Sequence, residues 1–159
     1  MIKVTSPAFD DGAPIPIKYT KDGGNVSPPL KWNVLPPNTR ELVLIVEDPD
    51  APRAEPFVHW VCYKIHPEAG GLPEGIPQSP RPRTAAADAQ GVNDFKDVGY
   101  DGPAPPPGHG THHYHFRVYA LDKELDVRAK LDHKALIASM SGHIIDSGEI
   151  VGTFEVPRR

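Results

Sequence analysis

The chain is short of the residues that build many kinds of site. It has one cysteine, Cys62, in 159 residues, so no disulfide within the chain and no Cys-x-x-Cys metal clip can form. Cys62 lies inside an apolar run, where a thiol usually behaves as a small buried hydrophobe. No stretch approaches the roughly 18 apolar residues of a membrane span. The opening MIKVTSPAFDDG lacks the apolar run of a signal peptide, and these absences lead us to expect a cytoplasmic location. A surplus of positive charge is also lacking: 17 Lys and Arg face 21 Asp and Glu, for a net charge of −4. The basic residues are scattered, which argues against a nucleic-acid patch or a polybasic membrane anchor. The sequence contains no phosphate-binding loop, no dinucleotide glycine pattern and no Gly-x-Ser-x-Gly nucleophile elbow.

Proline is abundant instead. The 20 prolines and 14 glycines alternate with apolar runs, a pattern of stiff loops joining strands. Glu41-Leu-Val-Leu-Ile-Val-Glu47 reads as a strand buried on both faces. Phe57 to Ile65, His112 to Ala120 and Glu149 to Val156 read as three more strands, with Ile2 to Thr5 and Leu30 to Val34 as shorter candidates. One helix is expected after Asp132, which can cap it, with Leu136, Met140 and Ile144 at four-residue spacing and Gly142 near its end. Pro67 to Arg83 and Thr84 to Gly110 lack periodicity, and loops of that length in a compact domain are usually functional or disordered. With no repeat and no linker, residues 1–159 form a single domain, mainly β, an antiparallel β-sandwich with one or two short helices.

Three segments carry candidate chemistry. Asp48-Pro-Asp-Ala-Pro52 follows the most apolar strand, and its two prolines restrict Asp48 and Ala51 and hold the carboxylates of Asp48 and Asp50 in a stiff loop. An ordinary turn would use the same residues. In an extended strand Phe57, His59, Val61 and Tyr63 share one face. His59 is then either a satisfied core histidine or a partner for Asp48, whose charge would favour the imidazolium form. In Gly108-His-Gly-Thr-His-His-Tyr-His115, alternation sets His112, Tyr114 and Phe116 on one face and His113 and His115 on the other. Gly108 and Gly110 let backbone N–H groups approach an anion. His113 and His115 resemble half of a metal site, but no carboxylate or cysteine follows at ligand spacing, so no metal and no cofactor is expected.

Taken in order, these segments resemble the phosphatidylethanolamine-binding protein family, the Raf kinase inhibitor-like proteins, in its bacterial and archaeal branch. The matching residues are Asp48 to Pro52, His59-Trp60, Gly99-Tyr-Asp-Gly-Pro103 through Pro107-Gly108, and His112-x-Tyr114. Ser6-Pro-Ala-Phe9, Asn25-Val-Ser-Pro-Pro-Leu30, Gly91-Val-Asn-Asp-Phe95 and Ser141-Gly-His143, placed in the helix, also match. The resemblance implies a Greek-key sandwich with a small anion pocket at one end. Asp48, Asp50, His59, His112 and Tyr114 would line it, with Gly102, Pro107 and Gly108 at the rim and a cis peptide bond nearby. It also implies a phosphate-like ligand, a protein partner such as a kinase or protease, and a homodimer. Eukaryotic members carry a further helix where this sequence stops at Arg159, so a more open pocket, or one closed by a second chain, is expected.

The functional expectation is a non-enzymatic binding protein for a small phosphorylated or carboxylated ligand. The alternatives are a hydrolase or lyase using Asp48 and His59 as an acid–base pair, and an inhibitor acting through the loops 67–83 and 84–110.

Overall fold

The computed structural model describes residues 1–158. Its strands are β1 (Lys3–Thr5), β2 (Leu30–Asn33), β3 (Glu41–Asp48), β4 (Phe57–Ile65), β5 (Gly71–Leu72), β6 (Ala87–Gln90), β7 (His112–Leu121) and β8 (Ile144–Phe154), with the helix α1 (His133–Met140) before β8. They form a three-stranded sheet in the order β1-β2-β5 and a five-stranded sheet in the order β6-β4-β3-β7-β8. Every strand pair is antiparallel.

The alternation of β3 explains the layering. Leu42, Leu44 and Val46 enter the core between the two sheets, where Val4, Leu30, Trp32 and Leu72 of the small sheet meet Trp60, Phe116 and Val118 of the large one. Val43 and Ile45 face the other way, onto a second cluster with Leu125, Leu131, Leu136 and Met140. This strand is therefore apolar throughout because both of its faces are covered. Asp132 caps α1 by accepting from the Ala135 N–H at 2.8 Å, and Leu136 and Met140 form its buried stripe. The outer edge of β8 is paired by residues 12–15, through Gly12 N–H to Val151 O at 2.7 Å and Ile15 N–H to Thr153 O at 2.7 Å. An edge covered in this way cannot recruit a further strand there.

Several expectations need correction. Val61 and Tyr63 do not share a face with His59. The β3–β4 register steps from Val46↔Trp60 to Glu47↔Val58, so His59 is the extra residue of a bulge. Trp60 and Cys62 then point between the sheets, while Val58, Val61 and Tyr63 face the helix layer. Ile144 is half-exposed and opens β8 instead of extending the helix stripe. Gly142, at φ 82°, turns the chain after α1, and pairing with β7 then zips from Leu121↔Ile144 to His112↔Phe154. Ser141-Gly-His143 lies in that turn, beyond the helix. The two aperiodic segments contain β5 and β6, whose Gly, Ala, Asp and Gln residues have little strand preference of their own. They are strands because β2 and β4 pair with them. No peptide bond among the described residues is cis. No helix among them is long and apolar enough to cross a membrane.

Candidate functional site

In an antiparallel sheet the C-terminal end of one strand lies beside the N-terminal ends of its neighbours. Asp48 ends β3, Phe57 and His59 begin β4, and His112 and Tyr114 begin β7, so all five residues meet at one end of the large sheet. They enclose a cavity of about 170 Å³ together with Ala51, Pro52, Phe95, Ala104, Pro105 and Pro106. Its walls are largely aromatic and proline side chains.

The polar floor rests on one contact. Asp48 is 3% exposed, His112 is 2% exposed, and His112 Nδ1 donates to the Asp48 carboxylate at 2.6 Å. The other Asp48 oxygen accepts the Asp50 N–H at 2.8 Å, closing a tight turn over Pro49. That turn directs Asp50 outward. Its carboxylate accepts from the His113 backbone N–H at 2.7 Å and from His113 Nδ1 at 2.8 Å. Burial works against the Asp50 charge, but these bonds outweigh it and hold the carboxyl below its usual range.

Asp48 does not pair with His59. His59 Nδ1 donates to the backbone carbonyl of Asp101 at 2.8 Å, so the neutral ring carries its lone pair on Nε2. Burial pushes the imidazole below its ordinary value, against the opposing pull of the Asp101 carbonyl and the Asp48 charge. The imidazolium expected from sequence is therefore replaced by a neutral ring, packed 5.2 Å from Phe57, 5.4 Å from Phe95 and 5.2 Å from Tyr114, centroid to centroid. Burial, with the charges of Asp48 and Asp50, pushes the Tyr114 phenol far up, which leaves it a neutral O–H donor.

Asp101 was not singled out as a site residue, yet it aligns His59. Its buried carboxylate accepts from Asn25 at 2.9 Å, Asn93 at 3.0 Å and Gln78 at 3.2 Å, with Lys21 Nζ at 3.4 Å. Its N–H donates to the His59 carbonyl at 3.1 Å, so the whole residue clamps the bulged strand. Only its presence in the Gly99–Pro103 segment pointed to it. Phe57 and Phe95 were equally silent: an aromatic in a strand or loop reads as core.

The expected rim residues sit outside the cavity wall. A Cβ on Gly102 would lie 2.0 Å from the Tyr19 carbonyl oxygen, and its N–H donates to Asn25 at 2.8 Å. Gly102 thus lets two backbones touch. Pro107 and Gly108 follow the lining prolines, and the Gly108 N–H is tied to the Val156 carbonyl at 2.8 Å. His113 and His115 lie on the opposite face, with His115 bonded to Glu149 at 2.9 Å. Among the described residues no cluster of three His, Cys, Asp or Glu is arranged to hold a metal ion. Cys62 is fully buried in the sheet, and burial pushes its thiol up.

The sequence matches the family described as Phosphatidylethanolamine-binding protein over residues 5–155. The chain belongs to the phosphatidylethanolamine-binding protein family. It is similar to a UPF0098 protein of Pyrococcus horikoshii, 46% identical over 154 residues, covering 97% of this chain and 76% of the relative. A UPF0098 protein of Methanothermobacter thermautotrophicus is 40% identical, covering 92% of this chain and 94% of that one. Two solved structures share the fold. One is described as a phosphatidylethanolamine-binding protein homologue from Chlamydia trachomatis, at TM-score 0.85 and 38% identity over 97% of both chains. The other is E. coli YbcL, described as a new member of the mammalian PEBP family, at TM-score 0.89 and 29% identity over 98% of both chains.

Two outcomes follow from this geometry. Gly102→Ala forces the Asp101–Pro103 backbone off Tyr19 and is expected to cost about 1–3 kcal/mol, as overpacking does, read by urea denaturation; an unchanged midpoint contradicts the close approach. The depressed His59 value means that the unfolded chain takes up a proton before the folded one does. His59 therefore favours the folded state above about pH 6.5, and that contribution is lost as pH falls below this value, by up to about 1.4 kcal/mol per unit. In His59→Asn, which keeps a donor for Asp101, the loss between pH 6.5 and 5 should flatten in thermal melts. An equal slope in both proteins contradicts it.

Proposed function

We propose that this phosphatidylethanolamine-binding protein family member is a non-enzymatic binding protein whose cavity takes the acid group of a small phosphorylated or carboxylated ligand. One observation carries the reading: a buried carboxylate–imidazole pair, Asp48–His112, at the floor of an otherwise apolar cavity. A cavity of about 170 Å³ is smaller than the roughly 300–1,000 Å³ that holds a drug-sized molecule, so it suits a headgroup and not an extended substrate.

The chemistry of the lining supports binding over turnover. It offers no serine, threonine, cysteine or lysine as a nucleophile, and the acid–base pair of the enzyme reading, Asp48 with His59, is not formed. The loops of the inhibitor reading are bonded to each other, and the second is held to β4 by Trp60 Nε1 donating to Gln90 at 2.8 Å. Gln78 donates to the Tyr100 carbonyl at 2.7 Å, and Gln90 donates to Pro77 at 2.7 Å and Ser79 at 3.0 Å.

Electrostatics select the ionisation state of the ligand. A phosphate dianion meets the charge of Asp48 and a neutral His59, which is unfavourable. A monoanion brings its own proton and can donate it while accepting from the Tyr114 hydroxyl. Affinity should therefore rise as pH falls from 8 to 5.5, by up to about tenfold per unit above a phosphate pKa near 6. Calorimetry with O-phosphorylethanolamine across that range tests this. Tyr114→Phe, which removes only the hydroxyl, should weaken binding about tenfold or more, the worth of a hydrogen bond to a charged group. A flat or rising pH profile, or a Tyr114→Phe variant that binds like the parent, overturns the reading.

A further inference from the structure

The Asp48–His112 pair does not end at His112. His112 Nε2 lies 2.6 Å from Nδ1 of His109, so three groups form one hydrogen-bonded chain that runs from a buried carboxylate to an exposed imidazole. Nδ1 of His112 is committed to Asp48, so His109 meets the ring at Nε2. The one ring nitrogen of His112 that a ligand could use is already taken, by a side chain of the same protein.

The loop that carries His109 is held before it and has open space after it. Before it, the Gly108 N–H is held by Val156 at 2.8 Å and the Arg158 side chain packs against Gly108, while the His109 N–H donates to Pro106 at 3.1 Å. After it, Gly110 adopts φ 89° and has no neighbour within 4 Å of where a Cβ would sit. The space beside Gly110 lets the imidazole leave by side-chain rotation while the His109 N–H stays on Pro106.

We infer that His109 is a displaceable internal ligand of His112, and that a bound acid takes its place at Nε2. The inference rests on the acid-binding reading above and adds a selection rule. A ligand must out-compete the His109 imidazole for this nitrogen, and an acid that carries both an O–H and a charged oxygen can pair with Nε2 whether the nitrogen accepts or donates. Methanesulfonate has no O–H and can only accept there. No proton is transferred: His109 keeps its own as the ring swings out, and the ligand replaces one hydrogen bond with another. The charged and titratable groups around this chain are Asp48 at the end of β3 and Asp50 after it, His59 on β4, His113 and Tyr114 on β7, and Glu155 and Arg158 after β8.

The test compares the parent with His109→Ala, by calorimetry with O-phosphorylethanolamine and with methanesulfonate at pH 6, and by imidazole ¹⁵N NMR of the ligand-free proteins. Removing the competitor should tighten O-phosphorylethanolamine binding by about 3- to 10-fold, the worth of one neutral hydrogen bond. It should also shift the His112 Nε2 resonance and leave methanesulfonate weak in both proteins. Equal or weaker O-phosphorylethanolamine affinity in His109→Ala, or an unmoved Nε2 resonance, overturns the inference while the acid-binding reading stands. Failure of both proteins to bind O-phosphorylethanolamine overturns that reading and the inference with it.

Discussion

A carboxylate removed from water has to be paired, and in this fold the pairing of Asp48 with His112 decides how the end of the sandwich is built. An unpaired buried charge costs several kcal/mol, so β3 and β7 must stay in register at the place where the two side chains meet. The turn that follows serves the same end. The Asp48 oxygen not used by His112 takes the Asp50 N–H, and Asp50 is thereby sent to His113 on the outer face. One acidic residue is committed inward and its neighbour outward, and the two prolines of the loop leave little freedom for any other arrangement.

The aromatic wall depends on a second constraint, the bulge at His59. A regular strand would send Trp60 to the helix layer, but the extra residue lets His59 and Trp60 turn to the same side. Trp60 can then anchor the sheet interface, donating through Nε1 to Gln90 at 2.8 Å, while His59 closes the cavity. Asp101 stabilises the bulge by bonding the His59 backbone and ring together. The clamp around Asp101 draws on Asn25, Gln78 and Asn93, residues far apart in the chain, so the cavity depends on long-range packing as much as on the strands that frame it.

Much of this was legible in the sequence. The double-sided apolarity of β3 marks it as central, and alternation along β7 separates His112 and Tyr114 from His113 and His115. The order of the three polar segments points to the family. What sequence could not decide is which imidazole Asp48 takes, because β4 with His59 and β7 with His112 both flank β3 and adjacency alone admits either. Nor could it find β5 and β6, whose residues have no strand preference apart from their partners. Phe95 and Asp101 were hidden for a related reason: each lies in a loop whose path is set by distant contacts. The outward turn of Asp50 is a local hydrogen bond of a kind that any Asp-Pro-Asp sequence permits and none requires.

The proposed docking point of the acid group is the Asp48–His112 pair. A crystal structure of the protein soaked with O-phosphorylethanolamine at pH 6 tests it most directly. A phosphate oxygen is expected within hydrogen-bond distance of His112 Nε2 and another at the Tyr114 hydroxyl, with the His112–Asp48 bond intact. A phosphate group bound away from this cavity, or a cavity left empty at saturating ligand, would contradict it.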